Sequence, residues 1–305
     1  MENRRLNVAV LCGGPSAERE VSLRSGAAVA TALRTLGHEV REVDPVPGFL
    51  FLPPGTEIAF IALHGTYGED GGVQTDLERL GVPYTGCGIE ASRVAFDKVL
   101  TKDRLRAAGV PTARSMVFHS PDDPWPASDW ATPVVLKPVR QGSSVGLQFV
   151  EDSTRFPEAL REAFRHDSEV LMEERIMGRE TTVAVLENEA LPVVEVRPRV
   201  GTYDYANKYT AGRTEYFCPA EFDPTTTSRI QRAAMGAFQA VGARDYARID
   251  VMVRPDGAPV VLEVNTLPGM TETSLFPKAA AATGLGFSAL CQRMLDLAAG
   301  RLQTG

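Results

Sequence analysis

Residues 246–265 read YARIDVMVRPDGAPVVLEVN, two runs rich in β-branched residues on either side of the turn signal PDG at residues 255–257. Aspartate followed by glycine between two such runs predicts a β-hairpin with a two-residue loop. In that register Asp250 lies directly opposite Glu263, and both carboxylates share one face of the sheet. The stretch therefore predicts a strand pair in which two like charges meet.

The carboxylate face of this hairpin predicts a metal site. Period-2 alternation places Arg248 and Asn265 beside the two acids. The apolar residues of the hairpin point to the opposite face and into a core: Ile249, Val251, Val253, Val260, Leu262 and Val264. Opposed like charges destabilise a strand pair unless a cation lies between them, and oxygen ligands favour Mg²⁺ or Mn²⁺. Because Mg²⁺ is usually held by one or two carboxylates together with substrate phosphates, the hairpin also indicates a nucleotide.

One alternative for the hairpin stays open at this stage. Its polar face could be solvated, with the acids paired to Arg248 and Arg254. A turn longer than two residues would also shift the register and weaken the pairing of Asp250 with Glu263.

The segment KPVRQGSSVG, residues 137–146, is a candidate phosphate-binding loop because it follows the apolar run PVVL and combines glycines with serines. Backbone N–H groups and hydroxyls of such a loop can close over phosphate, and Lys137 can reach it from the strand end. Taken alone, the segment could also be a plain turn. The chain has neither the P-loop motif nor a GxGxxG that opens a helix, so another nucleotide-binding fold is required.

Two further motifs lie near the N-terminus. GGPSAEREVSLRSG, residues 13–26, follows the first strand and leads into a helix, which is typical of an anion- or substrate-binding turn. Glu18 projects from this turn, and the alternative is an acid that caps the helix. LHGTYGEDGGVQ, residues 63–74, combines His64 with four glycines after another strand. A structural role for His64 is the alternative there.

The remaining pattern predicts a mixed architecture. The N-terminal third alternates buried strands with helical periodicity and predicts a parallel sheet covered by helices. A helix over 90–108 is followed by alternating strands, a helix near 154–165 and a surface loop at 121–132. A hairpin over 181–196, a helix near 225–241, the hairpin described above and C-terminal helices complete the chain.

Composition excludes several classes of protein. The 305 residues are 44% hydrophobic and carry a net charge of −7, which argues against nucleic acid as a partner. No apolar run reaches the roughly 18 residues of a membrane span, and the start lacks the pattern of a signal peptide, so we expect a soluble cytoplasmic protein that binds no membrane. Four scattered cysteines are expected to be reduced and structural: Cys12, Cys87, Cys218 and Cys291.

Six segments in family order, spread over nearly the whole chain, together resemble the D-alanine:D-alanine ligases: GGPSAERE, HGTYGEDG, KPVRQGSSVG, EERIMGRE, YDYANKY and RIDVM with EVNTLPGMTETSL. The resemblance implies an α/β and α+β chain with a three-domain ATP-grasp fold and an N-terminal parallel-sheet domain. We expect an N-terminal substrate domain at 1–95, a central domain with the glycine and serine loop at 96–178, and a C-terminal domain with the metal site at 179–305. ATP would lie between the last two.

The resemblance also implies a role for individual residues. ATP would be bound by Lys98, Lys137, Ser144, Glu173, Glu174, Ile176, Glu180 and Lys208. Two Mg²⁺ or Mn²⁺ ions would be held by Asp250, Glu263 and Asn265. The D-alanine substrates would contact Glu18, His64, Ser274 and Leu275. Catalytic roles fall to Glu18, Ser143 and Tyr209 beside the reacting amine, and to Arg248 and the backbone N–H of Gly269 at the oxyanion. Glu174 and Arg175 depart from the basic and aromatic residues of some members, which leaves the stacking of adenine open.

The reaction implied by the resemblance starts with phosphorylation of one D-alanine by ATP to an acyl phosphate. The amine of a second D-alanine then attacks, giving D-alanyl-D-alanine for peptidoglycan precursors, and a homodimer is also implied. Alternatives are a ligase that joins a D-alanyl group to a hydroxy acid and a regulatory nucleotide-binding protein without turnover. Tyr209 after Lys208 favours an amine over a hydroxy acid as the acceptor. The complete set of site residues on the hairpin favours an enzyme over a regulatory protein without turnover.

Residues 199–214, RVGTYDYANKYTAGRT, follow neither helical nor strand periodicity. Loops of this length are usually functional or disordered, and this one carries Lys208 and Tyr209. The segment is therefore predicted to be a lid that orders over bound substrates and excludes water from the acyl phosphate.

Overall fold

The computed structural model describes residues 4–199 and 213–301. The strands are β1 (Asn7–Leu11), β2 (Glu39–Val43), β3 (Ile58–Ile61), β4 (Ser115–Phe118), β5 (Val134–Pro138), β6 (Gln148–Val150), β7 (Val170–Glu174), β8 (Arg179–Leu186), β9 (Glu189–Ala190), β10 (Val194–Pro198), β11 (Thr214–Phe217), β12 (Tyr246–Val253) and β13 (Pro259–Asn265). The α-helices are α1 (Arg19–Thr35), α2 (Gly72–Leu80), α3 (Ile89–Phe96), α4 (Lys98–Ala107), α5 (Phe156–Ala163), α6 (Pro224–Ala240), α7 (Leu275–Ala281) and α8 (Phe287–Gly300), and a 3₁₀ turn spans Ser153–Arg155.

The first sheet is parallel, with the order β2-β1-β3. All of β3 and the last four residues of β1 are buried, as strands covered on both faces must be. The predicted parallel sheet is confirmed. It matters for the site because the two motif loops, residues 13–26 and 63–74, follow the carboxyl ends of adjacent strands and so open at the same edge.

The predicted single helix over 90–108 is wrong, because the chain forms two helices with a break at Asp97. Asp97 has an extended backbone, and its carboxylate accepts hydrogen bonds from the backbone N–H groups of Val99 (2.9 Å) and Leu100 (3.0 Å). An aspartate that satisfies free N–H groups in this way is a favourable N-cap, so a new helix begins immediately after it. The cap makes Lys98 the first residue of α4.

The second sheet is antiparallel with the order β4-β7-β5-β6, and the third has the order β11-β10-β8-β12-β13 with β9 paired to β8. The predicted strands, the helices near 154–165 and 225–241 and the irregular stretch at 121–132 all agree with the structure. One sheet falls within each predicted domain range, while the boundaries at 95 and 178 stay predictions.

The C-terminal helices complete the core of the first sheet. Phe276 of α7 and Leu290 and Met294 of α8 are fully buried, and they belong to the same apolar cluster as Val10 and Leu33 of the first sheet and its helix. Burying such side chains stabilises the fold by about 1.5–3 kcal/mol each. The first and last parts of the chain are therefore packed together, which holds the loop between β13 and α7 against α1.

The segment predicted as a lid is bounded by paired strands. β10 and β11 pair as far as Pro198 and Thr214, and the Arg199 N–H donates to the Arg213 carbonyl at 2.9 Å. The paired strands therefore reach both edges of the segment predicted at about 199–214, and its role as a lid stays a prediction. Lys208 and Tyr209 lie outside the described residues.

Two smaller sequence predictions concern membranes and cysteines. Among the residues described, no helix is long and apolar enough to cross a membrane. All four cysteines are free thiols, and three of them are buried, as predicted.

Candidate active site

The β12–β13 hairpin brings Asp250 directly opposite Glu263, and Arg248 opposite Asn265. The pairing is as predicted, but the turn is longer than predicted: Val253 pairs with Pro259, and the five residues 254–258 join the strands, with the Arg254 N–H donating to the Ala258 carbonyl at 2.9 Å. At the step from Asp250 to Val251 a β-bulge adds one residue to β13. This extra residue offsets the longer turn, so Asp250 still lies opposite Glu263.

The bulge changes which side chains enter the core. Ile249, Val251, Val253 and Val264 lie in the core cluster, as predicted. Leu262 does not, because the extra residue at the bulge turns it toward a cavity, and Val261 takes the core position instead. Val260 is buried in a core as predicted, but in a separate small cluster with Ala113 and Ile176, and the prediction for Leu262 is wrong.

Arg248 partly balances the two opposed carboxylates. Its guanidinium donates two hydrogen bonds to Asp250, at 2.9 and 2.8 Å, and both side chains are only about 15% exposed. The alternative in which the polar face of the hairpin is solvated is therefore wrong about the exposure of Arg248 and Asp250. It is right that Arg248 pairs with an acid of the hairpin, whereas Arg254 bonds Glu174 at 3.2 Å.

The hairpin residues fit a hard divalent cation. Asp250 and Glu263 supply two carboxylates, and Asn265 Oδ1 accepts one hydrogen bond, from the Leu267 N–H at 3.0 Å, which leaves a second lone pair. No group of three or more His, Cys, Asp or Glu residues suited to a metal occurs in the described part of the chain. Two carboxylates and an amide oxygen suit Mg²⁺ or Mn²⁺ that completes its coordination with phosphate and water.

The glycine and serine loop, residues 137–146, is supported by Lys98 and reaches Glu18 next to the first sheet. Lys98 Nζ donates to the Gln141 carbonyl at 2.6 Å, so the N-capped start of α4 supports the loop. Burial lowers the pKa of Lys98, and the nearby Glu263 carboxylate opposes that shift. Ser143 and Ser144 both have left-handed backbones, with φ of 50° and 61°, an unfavourable conformation for residues other than glycine. The Val145 N–H donates to the Gly142 carbonyl at 3.1 Å, so the two serines form a turn, as in the alternative left open by the sequence, and phosphate binding by this turn stays a prediction.

Glu18 receives the tip of this loop. Ser143 Oγ donates a hydrogen bond to Glu18 Oε1, and a Cβ added at Gly142 would lie 2.8 Å from Glu18 Oε2. A side chain at 142 would therefore require the Glu18 carboxylate to move. Glu18 occupies the N-cap position of α1, but its carboxylate makes no capping hydrogen bond. The helix-capping alternative is therefore not supported, and the predicted contact between Glu18 and Ser143 is present.

His64 lies in a chain of polar contacts that ends at the loop after β13. Its Nδ1 is 3.6 Å from a carboxylate oxygen of Glu69, and its Nε2 is 3.4 Å from Ser25 Oγ. Ser25 Oγ also accepts a hydrogen bond from the Met270 N–H at 3.2 Å. His64 thus has structural partners and also lines a cavity. A structural role and a role in the site, the two alternatives left open by the sequence, are therefore compatible.

Two adjoining cavities collect nearly all the described residues that the sequence singled out. The first is lined by Glu18, His64, Lys98, Ser143, Arg248, Glu263, Asn265, Gly269, Ser274 and Leu275. The second is lined by Lys98, Lys137, Ser144, Glu173, Glu174, Ile176, Glu180, Asp250 and Glu263. Lys98 and Glu263 are common to both, so the expected substrate and nucleotide residues form separate chambers that meet at a lysine and a hairpin carboxylate.

Two contributors to the site were missed by the sequence analysis. Ser25 is fully buried, and nothing in its sequence context distinguishes it from Ser22. Lys102 is 2% exposed and forms an ion pair with Glu173 at 2.6 Å. Lys102 lies one helical turn after Lys98, on the same face of α4, and that spacing could have indicated that it lies near the site. A lysine buried there requires an acid partner.

The sequence of the chain matches that of known ligases. A family model described as "D-ala D-ala ligase C-terminus" matches residues 105–296. The D-alanine–D-alanine ligase of Methylacidiphilum infernorum (isolate V4) is 44% identical over 295 residues, covering 95% of each protein. That of Anaeromyxobacter sp. (strain Fw109-5) is 48% identical over 303 residues, covering 96% of each.

Solved structures give the same result for the fold. The D-alanine–D-alanine ligase of Bacillus anthracis superposes with a TM-score of 0.87 at 33% identity, covering 98% of this chain and all of that one. The Bacillus anthracis enzyme complexed with ATP superposes with a TM-score of 0.85 at 30% identity and the same coverage.

The contact between Ser25 and Met270 generates a prediction that needs no substrate. Ser25→Ala removes the acceptor of the Met270 N–H, so hydrogen exchange at that amide should accelerate at least tenfold. Ser22→Ala is the matched control, because Ser22 is equally buried on the same helix but bonds Gly13 and Ala62. Both variants should lose about 1–3 kcal/mol of stability. Equal protection of Met270 in the two variants, measured by exchange mass spectrometry or NMR, would contradict the contact.

Proposed function

The chain belongs to the D-alanine–D-alanine ligase family, and we propose that it joins two D-alanine molecules in an ATP-dependent reaction that supplies peptidoglycan precursors. The ATP-grasp fold class predicted from the sequence is confirmed by the family membership and the structural match. The observation that carries the proposal for this chain is the pair of cavities that meet at Lys98 and Glu263. Their junction is where a phosphoryl group would pass from one chamber to the other.

The chemistry requires activation of a carboxylate. A carboxylate oxygen of the first D-alanine attacks the γ-phosphorus of ATP, the bond to ADP breaks, and an acyl phosphate forms. The amine of the second D-alanine then attacks the acyl carbon, and inorganic phosphate leaves as the peptide bond forms. Both steps depend on reactants held in line and on charge stabilisation at defined oxygens.

In the first cavity we assign recognition of the substrates to residues that already lie together. Glu18 offers a carboxylate to the ammonium of the first D-alanine, and Ser143 fixes its orientation. Arg248 and Gly269 line the same cavity, where the guanidinium and the Gly269 N–H would stabilise the oxyanion, with Arg248 held in position by Asp250. His64 would contact the first substrate, and Ser274 and Leu275 would receive the carboxylate of the second.

In the second cavity we assign ATP. Lys98, Lys137 and Ser144 would bind phosphates, Glu173, Glu174 and Ile176 would line the adenine site, and Glu180 would hold the ribose. Two Mg²⁺ or Mn²⁺ ions bound by Asp250, Glu263 and Asn265 would neutralise charge on the transferred phosphoryl group. Lys208 and Tyr209, outside the described residues, are assigned by resemblance to the γ-phosphate and the reacting amine.

The family resemblance supports three further proposals: division into domains at 1–95, 96–178 and 179–305, a cytoplasmic location and a homodimer. Sedimentation of the purified protein at micromolar concentration tests the last of these.

The proposed function is tested by coupling ADP release to a spectroscopic signal, with a panel of D- and L-amino acids and D-hydroxy acids. We expect turnover with D-alanine alone and formation of D-alanyl-D-alanine, confirmed by mass spectrometry. Turnover that requires D-alanine together with a hydroxy acid would favour the ester-forming alternative. ATP binding without D-alanine-dependent ADP release would identify a regulatory protein.

Glu263→Gln tests the hairpin assignment. The change removes one of two opposed charges, so the variant without metal should be as stable as the wild type or more so. Because a charged oxygen ligand is lost, kcat should fall at least 100-fold and the Mg²⁺ concentration for half-maximal activity should rise. Thermal unfolding and a Mg²⁺ titration of the ADP-release rate provide both measurements. Wild-type activity at low Mg²⁺ would contradict the assignment.

Glu18→Gln tests the assignment of the ammonium site. The nucleotide cavity does not include Glu18, so KM for D-alanine should rise at least tenfold while ATP affinity stays within about threefold of the wild type. Glu20→Gln is the matched control, because Glu20 lies two residues along and is exposed. An equal loss of affinity for D-alanine and ATP would instead indicate damage to the first domain.

A further inference from the structure

A buried group of three charges lies at the wall of the second cavity. Glu173, which lines that cavity, is 2% exposed. Its two carboxylate oxygens have different partners: Oε1 is 2.6 Å from Lys102 Nζ, and Oε2 forms an ion pair with Lys137 Nζ. Burial alone would raise the pKa of Glu173, but Lys137 and Lys102 outweigh it and lower the pKa to about 2. Glu173 is therefore ionised in the folded protein.

The two lysines differ in how firmly they are held. Lys102 Nζ has three acceptors, because it also donates to Thr112 Oγ1 at 2.9 Å and to the Ala113 carbonyl at 2.8 Å. An ammonium has three N–H donors, so this one is fully satisfied. With 2% exposure Lys102 lies behind the cavity wall and has no route to a ligand.

Lys137 is placed differently. It lines the cavity, its side chain is 17% exposed, and within the described part of the chain its ion-pair partner is Glu173. Its ammonium therefore retains donor capacity and faces the space where a nucleotide would lie. Of the two cations on Glu173, Lys137 is the one that a polyphosphate can attract.

We propose that Lys102 is the permanent counter-ion of Glu173 and Lys137 an exchangeable one, so that nucleotide binding transfers Lys137 from Glu173 to phosphate while Lys102 keeps Glu173 charged and in place. The inference rests on the proposed function in one respect, that the second cavity takes ATP. Lys102 acts through Glu173 and Lys137 and is a positioning residue.

The physical reason is the high free-energy cost of an unpaired buried charge. Without Lys102, transfer of Lys137 to phosphate would leave Glu173 ionised and buried with no cation. With Lys102 present, the transfer frees only Glu173 Oε2, which then becomes an acceptor at the cavity wall for a donor on the base. The fixed ion pair between Lys102 and Glu173 thus lowers the free-energy cost of moving Lys137 to phosphate.

Lys102→Met tests the proposal by comparing two ligands in one protein. ATP requires Lys137 to leave Glu173, whereas adenosine has no phosphate and does not. We expect ATP affinity to fall at least tenfold and adenosine affinity to change less than threefold. Binding is measured in the full chain with Mg²⁺ and without D-alanine, by calorimetry for ATP and by displacement of a fluorescent nucleotide for adenosine.

Two further variants control for damage to the fold. Thr112→Val removes one acceptor of Lys102 but leaves the ion pair, so ATP affinity should be unchanged. Lys102→Met combined with Glu173→Gln removes both charges and frees Lys137, so its ATP affinity should recover to within threefold of that of Glu173→Gln alone. Thermal unfolding of all variants identifies any that do not fold.

The outcomes separate this inference from the proposed function. Equal losses for ATP and adenosine in Lys102→Met, or no recovery in the double variant, would overturn the role of Lys102. Unchanged ATP affinity in Lys102→Met would overturn it as well. A wild-type protein that does not bind ATP would overturn the proposed function on which the inference rests.

Discussion

Two carboxylates meet across β12 and β13, and the rest of the site is arranged around that unfavourable pairing. Asp250 and Glu263 are directly opposed, and the bulge in β13 maintains the register that opposes them. A strand pair does not retain such an arrangement for its own stability. Arg248 balances one charge from within the hairpin, and Lys98 approaches the other from the start of α4. A divalent cation bound by both carboxylates would remove their mutual repulsion and could hold phosphate at the junction of the two cavities.

The parts of the site come from all three sheets, so specific contacts must fix their positions relative to one another. Ser143 bonds Glu18 between the glycine and serine loop and the turn before α1, and Ser25 accepts a hydrogen bond from the Met270 N–H between α1 and the loop after β13. The packing of α8 against the first sheet adds buried apolar contacts. Reaction between two small amino acids and ATP requires this precision, because a displacement of about 1 Å can reduce the rate by a factor of about 100.

Sequence reasoning succeeded where chemistry follows from local spacing. The pairing of Asp250 with Glu263 was predicted correctly although the turn is longer than Asp-Gly implies. The bulge in β13 shifts the register by one residue and so offsets the longer turn. The bulge itself is a tertiary feature without a sequence signature, which is why Leu262 was misplaced. The break at Asp97 was missed because apolar periodicity outweighed an available N-cap. Lys102 was missed although it lies one helical turn after Lys98, because its acid partner is 71 residues away in the sequence.

The central claim is that the opposed carboxylates hold metal together with nucleotide, and Mn²⁺ tests it most directly. Crystals of the protein grown with Mn²⁺ and a non-hydrolysable ATP analogue should give two anomalous peaks within about 2.3 Å of oxygens of Asp250, Glu263 or Asn265 and of the phosphates. In Glu263→Gln crystals grown in parallel, at least one of the two peaks should weaken or vanish. Nucleotide bound in the second cavity with anomalous peaks elsewhere, or with none, would contradict the account.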